Sequence, residues 1–219
     1  MCLHGYLSSK EAFAAQTAYL SKFFKVTAID FLGFGKAQPL AVPFSVGDYA
    51  QWLLQAIKTL GLQQPIVIAH SFGCRVAVKA AAIDKQAFDR LILTGPAGII
   101  VGRGLAYRAK VWAYRTVKKV APKFAEKRFG SAEYRSLSPI MKESYKRIVN
   151  EDLRETARLV ENPVLLVEGT KDKVTTRKEA EIYLAHFPNA RLKLMEGGHF
   201  AFAEHPTAFH LIIEEFLYE

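Results

Sequence analysis

The chain has 219 residues, of which 50% are hydrophobic and 23% charged, with a net charge of +9 and a pI of about 9.5; that suits one globular domain with room for an insert. Cys2 and Cys74 are too few for a disulfide framework, and no His and Cys cluster has metal-ligand spacing, so a reducing compartment and no metal or cofactor are expected. Lys10 and Glu11 interrupt any secretory pattern and no apolar run approaches the ~20 residues that span a bilayer, so the expectation is a soluble cytoplasmic protein of unspecified oligomeric state.

Short β-branched runs alternate with longer helical patterns. Met1 to Leu3 reads as the tail of a strand. Ser8 with Glu11 has capping-box spacing before a helix over Phe13 to Phe24. A strand follows at Val26 to Ile29, then a helix over Tyr49 to Leu60 announced by Ser45 and Asp48 and ended by Gly61. Ile66 to Ala69 predicts a strand, Arg75 to Ile83 a helix, and Leu91 to Thr94 a strand. Further on come the strand Val164 to Val167 and the helix Ala180 to Phe187, opened by Thr176 and Glu179. The strand Leu192 to Met195 is followed by a helix from Pro206 to about Leu217. The strand runs are apolar almost throughout, which suits parallel strands covered on both faces. The fold class is therefore α/β with right-handed crossovers.

One stretch breaks the alternation. About seventy residues separate the strands at Leu91 and Val164, too many for one crossover helix. Residues 97–160 predict a mostly helical insert, a cap subdomain, with residues 1–96 and 161–219 as the core. The insert holds 15 Lys and Arg against six Asp and Glu, so it carries the whole net charge. Tyr107, Val111, Tyr114, Val117 and Val120 recur at helical spacing, and Tyr107, Trp112 and Tyr114 are candidate walls of a substrate pocket. The basic faces suit water, an anionic acyl substrate or a membrane surface; no motif supports nucleic-acid binding.

The chemistry concentrates at Ala69-His70-Ser71-Phe72-Gly73, between a strand and a helix. Strand, sharp turn, serine and helix make a nucleophile elbow, in which small neighbours let the strained turn close. Ser71 is the candidate nucleophile, exposed at the carboxyl edge of the sheet where open α/β sheets bind ligands. A serine hydroxyl needs a base, and His199, in Glu196-Gly197-Gly198-His199-Phe200, lies on a glycine loop after the last strand. His70 adjoins Ser71 on a tight turn that points its side chain elsewhere, while His186, His205 and His210 fall on helical patterns. Asp172, after the strand Val164 to Val167, is the candidate carboxylate that orients His199; Glu168, the last residue of that run, is its rival. The N–H of Phe72 and that of Tyr6, in Leu3-His4-Gly5-Tyr6, are candidate oxyanion donors.

Leu3-His4-Gly5, Asp30-Phe31-Leu32-Gly33-Phe34-Gly35, His70-Ser71-Phe72-Gly73, Asp172 and Gly198-His199 together resemble the α/β-hydrolase superfamily. Within it they look most like the small carboxylesterases and C–C hydrolases that carry a helical cap. The resemblance covers nearly all the chain outside the insert. It implies oxyanion amides at Tyr6 and Phe72 and a structural turn at Asp30. Ala69 and Cys74 stand where the family commonly has glycine, and Cys74 reads as a packed helix residue. The family also has a strand hairpin before the His-Gly loop, which here begins at residue 4; the strand at Val26 to Ile29 is therefore expected at a sheet edge. The implied activity is hydrolysis of a small ester or acyl substrate, with C–C bond hydrolysis of a diketone-like acid, or ligand binding without turnover, as alternatives.

Overall fold

The computed structural model describes residues 1–102, 134 and 136–218. Its six strands are β1 Cys2–Leu3, β2 Ala28–Ile29, β3 Val67–His70, β4 Leu91–Thr94, β5 Val164–Gly169 and β6 Ala190–Met195. They form one sheet in the order β2-β1-β3-β4-β5-β6, and every pairing is parallel. The helices are α1 Ala14–Leu20, α2 Val46–Thr59, α3 Phe72–Ile83, α4 Pro139–Val149, α5 Arg154–Ala157, α6 Arg177–His186, α7 Ala201–Glu204 and α8 Pro206–Leu217. Among the described residues, no helix is long and apolar enough to cross a membrane.

The continuous apolar runs have a direct explanation. Successive strand residues point to opposite faces, and both faces are covered. Leu3, Val67, Leu91, Leu93 and Leu166 join a core with α2 and α3. Ile68, Ile92, Leu165 and Val167 enter a second core with Phe13, Phe202, Phe209 and Ile213. The strand at Ala28 and Ile29 lies at one edge of the sheet, half-buried, as expected from the sequence. At the other edge, β6 has a mixed burial pattern.

Several boundaries differ from the predicted ones. The capping box at Ser8 and Glu11 does not form. Instead a 3-10 turn runs from Lys10 to Phe13 with Ser9 before it, and α1 ends at Leu20 rather than Phe24. A distant group wins over the local pattern: the Asp30 carboxylate accepts the Lys10 N–H at 2.7 Å. Beyond α1 the Phe23 and Phe24 amides both turn back onto the Leu20 carbonyl. The Ser45–Asp48 box does form, with Ser45 N–H on Asp48 Oδ2 at 2.7 Å and Asp48 N–H on Ser45 Oγ at 3.2 Å. The Thr176 N–H likewise donates to Glu179 Oε2 at 2.6 Å. α3 begins at Phe72, three residues before the predicted start, because Ser71 itself takes the N-cap position. β5 runs on through Glu168 and Gly169, paired with Leu194 and Met195.

Tyr107, Trp112 and Tyr114 lie outside the described residues. The described end of the insert is α4 and α5. Three bonds fix α4 at the carboxyl edge of the sheet. The Tyr6 hydroxyl donates to the Met141 carbonyl at 3.2 Å, the Phe44 N–H to Ser144 Oγ at 2.9 Å, and Arg75 Nη1 to the Ile148 carbonyl at 3.0 Å.

Candidate active site

The parallel register brings the strand ends into one row. Leu3 pairs with Ala69, His70 with Thr94, and Gly169 with Met195. The loops leaving β1, β3, β5 and β6 therefore emerge on one edge, and they carry Gly5, Ser71, Asp172 and His199 respectively.

Ser71 has φ +50° and ψ −107°, a conformation unfavourable for a residue with a Cβ. It is held there because its N–H donates to the Thr94 carbonyl at 3.1 Å and its own carbonyl accepts from the Cys74 N–H at 3.0 Å. Close approach enforces small neighbours. A Cβ on Gly73 would stand 2.4 Å from the Leu3 carbonyl oxygen, and one on Gly5 would stand 2.8 Å from His70 Nδ1. Cys74, fully buried, donates its thiol to the Ala69 carbonyl at 3.2 Å, in keeping with a packing role.

His199 stands between the two other residues. Its Nε2 lies 3.0 Å from Ser71 Oγ, and its Nδ1 lies 2.7 Å from Asp172 Oδ2. An ionised carboxylate only accepts, so Nδ1 carries the proton and Nε2 is free to accept from the hydroxyl. The Asp172 side chain is fully buried. Its Oδ1 accepts the Val174 and Thr175 amides at 2.7 and 3.1 Å, and its Oδ2 also accepts the Thr175 hydroxyl at 2.9 Å. Burial alone would push this carboxyl up. The bonds from His199, Val174 and Thr175 outweigh it and hold Asp172 below the ordinary value. Lys171, a sequence neighbour, pairs instead with Glu196 at 2.8 Å.

Glu168, the rival carboxylate, makes no bond to His199. It is fully buried on β5, and neither oxygen has a hydrogen-bond partner among the described residues. Burial, with the Asp172 charge adding to it, pushes its carboxyl up to about 9. The folded chain thus keeps a proton that an ordinary glutamate, near 4.5, has released. Between those values the native state binds more protons than the unfolded one, so stability falls as pH rises, by about 1.4 kcal/mol per unit from this group. The expected result is that Glu168→Gln gains melting temperature on the parent as pH is raised from about 5.5 to about 8.5. A constant difference across that range would show that Glu168 is ionised in the folded chain.

Two histidines that the sequence left without a role support this geometry. His70 Nε2 donates to the His199 carbonyl at 2.9 Å. Burial, then the neighbouring His199, pushes His70 down to about 3, so it stays neutral and holds the His199 backbone in place. His4 Nε2 accepts the Phe31 N–H at 3.1 Å, which leaves Nδ1 to donate to the Gly5 carbonyl at 2.7 Å. That bond braces the loop carrying Tyr6, whose ring lies edge-on against Phe72 at 5.6 Å. Asp30 accepts the Lys10 and Lys36 amides at 2.7 and 2.9 Å, the structural turn that the resemblance implies. His210 stacks on Tyr19 at 4.0 Å, far from this chemistry in the second core. Among the described residues, no group of three or more His, Cys, Asp or Glu could hold a metal ion.

A strained serine at a strand-to-helix turn, in a parallel sheet, facing a histidine and a buried aspartate from later loops, defines an α/β-hydrolase-type site. The family model for the alpha/beta hydrolase fold matches residues 1–114, and the chain belongs to that family. The chain is 24% identical to an uncharacterized protein of Mycobacterium tuberculosis, across 99% of this chain and 74% of that protein. It is 25% identical to the 2-hydroxymuconate semialdehyde hydrolase of Pseudomonas putida, across 89% of this chain and 77% of the other. Among solved structures, an esterase from Exiguobacterium antarcticum superposes with a TM-score of 0.78 at 21% identity, covering 100% of this chain and 91% of that one.

Proposed function

We propose that the protein is a serine hydrolase that cleaves small carboxylic esters through an acyl-enzyme. The observation that carries this reading is the line of contacts from Ser71 Oγ through His199 to Asp172, at 3.0 and 2.7 Å. Ser71 Oγ attacks the acyl carbonyl while its proton passes to His199 Nε2. The N–H groups of Tyr6 and Phe72 receive the developing oxyanion. The tetrahedral intermediate collapses, His199 returns the proton to the departing alcohol, and the acyl group stays on Ser71. Water then attacks, with His199 again as base, and the acid is released. Asp172 remains ionised throughout and stabilises the imidazolium. Residues 97–160 form the cap in this reading, and Tyr107, Trp112 and Tyr114 belong to it as substrate-facing residues. The bonds that seat α4 against Tyr6 and Phe44 support that placement.

The test is a fluorophosphonate probe followed by a panel of p-nitrophenyl esters of increasing acyl length. Labelling at Ser71 and turnover of the short esters are expected. Intact Ser71 in the folded protein after exposure to the probe would overturn the reading. The similarity to a semialdehyde hydrolase supports one alternative, C–C hydrolysis of a diketone-like acid by the same residues. Labelling without turnover of any ester in the panel would favour it.

A further inference from the structure

We propose that Thr175 is a positioning residue for the Asp172–His199 pair: its hydroxyl grips Asp172 Oδ2 and also meets His199 Nδ1, which fixes the carboxylate against the imidazole. This rests on the Ser71–His199–Asp172 reading and extends it by one residue. Three atoms form a closed triangle. Thr175 Oγ1 lies 2.9 Å from Asp172 Oδ2 and 3.2 Å from His199 Nδ1, and Nδ1 lies 2.7 Å from Oδ2. The hydroxyl has one proton to give, and the ionised carboxylate is the stronger acceptor. Its Oγ1–H therefore donates to Oδ2, while its lone pairs face the Nδ1–H. That ring proton is held mainly by Oδ2 and more weakly by Oγ1. A neutral ring with its proton on Nε2 would leave two acceptors, Nδ1 and Oδ2, competing for one hydroxyl proton. The triangle thus favours the ring form that keeps Nε2 open to Ser71.

The division of labour around the carboxylate shows why this hydroxyl matters. An aspartate turns easily about its Cβ–Cγ bond, whose torsion is broad and two-fold. The Val174 and Thr175 amides, at 2.7 and 3.1 Å, both end on Oδ1. They anchor one oxygen and leave the direction of the other to be set elsewhere. Among the described residues, Oδ2 accepts from His199 and from the Thr175 hydroxyl. Thr175 therefore takes both oxygens, Oδ1 through its N–H and Oδ2 through its hydroxyl. Its own place is fixed in two ways. Thr175 is buried, and a β-branched side chain is stiff at χ1. It directly precedes Thr176, the N-cap of α6, whose N–H donates to Glu179 Oε2 at 2.6 Å. The first turn of α6 thus holds the backbone from which the hydroxyl is presented.

The experiment measures the rate of fluorophosphonate labelling of Ser71 near neutral pH in the full chain and its variants, with the thermal transition of each. Thr175→Val keeps the shape of the side chain and the N–H but has no hydroxyl. It should label roughly tenfold more slowly or worse. Thr175→Ser restores the hydroxyl and should label within a few-fold of the parent, even where its smaller side chain lowers the melting temperature. A hydroxyl that only stabilised the loop would move the melting temperature and leave the rate unchanged. A parental rate in folded Thr175→Val therefore overturns the proposal. So does a folded Thr175→Ser that labels roughly tenfold below the parent, because the hydroxyl would then not be the acting group. If the valine variant does not fold, Thr175→Ala is read by the same criterion. Asp172→Asn, measured alongside, separates the two levels: parental labelling in that variant would remove the triad reading itself, whereas a slow Asp172→Asn beside a parental Thr175→Val would remove only this inference.

Discussion

Replacing Ser71 with alanine is expected to lower ester turnover by roughly 10⁴-fold or more while leaving the fold intact. The size of the effect follows from the site. Among the described residues Ser71 Oγ is the hydroxyl that meets His199 Nε2, at 3.0 Å, and the proposed mechanism has no covalent route without it. The prospect of an intact fold follows from how the turn is held. The backbone at φ +50° is fixed by bonds from its own main chain to Thr94 and Cys74, which alanine retains. Among the described residues the hydroxyl bonds to His199 alone, so stability should change by no more than about 1 kcal/mol. The checks are kcat on a p-nitrophenyl ester, loss of fluorophosphonate labelling and an unchanged thermal transition. Turnover near that of the parent in the purified variant would mean that Ser71 is not the nucleophile.

Asp172→Asn should come close to that loss, and Glu168→Gln should not. An asparagine amide facing His199 Nδ1 donates where the carboxylate accepted. The ring then places its proton on Nε2, where it cannot receive one from Ser71, and the imidazolium loses its counter-charge; the expected cost is about 10⁴-fold in kcat. Glu168 is fully buried on β5 and makes no bond to His199. Its glutamine variant keeps the size of the side chain and leaves the Asp172–His199 contact in place, so a loss of less than about tenfold is expected near neutral pH. Steady-state kcat for both variants at one pH decides the matter. If Glu168→Gln is the more damaging change, the carboxylate that orients the base has been misassigned.

Much of this site was legible from strand ends alone. Ser71, Asp172 and His199 each follow an apolar run by a few residues, and parallel strands deliver such positions to one edge whatever the helices do. The boundaries were less legible where distant groups intervene. Ser8 and Glu11 have the spacing of a capping box, yet Asp30, on a loop after another strand, takes the Lys10 amide. The supporting residues were the least visible. Nothing local marks His70 as the group that grips the His199 carbonyl, because the contact spans 129 positions. Glu168 looked like a rival acid because its burial emerges only when β5 is seen to run on past Val167. Thr175 had a weak local signal, a hydroxyl three residues after an aspartate.

The all-parallel sheet sets the timetable on which this site comes into being. Without hairpins, each strand waits for a partner delivered by a crossover, and β1 lies between β2 and β3, both made after it. Ser71 and His199 are separated by 128 positions. At a synthesis rate of ~5–20 residues per second, the histidine leaves the ribosome roughly 6 to 26 seconds after the serine. Throughout that interval the hydroxyl has no base and is an ordinary alcohol. On the proposed reading, the nascent chain therefore carries its elbow serine unarmed past whatever acyl compounds surround it, and reactivity would arrive only when β6 docks on β5 and its loop brings His199 into place.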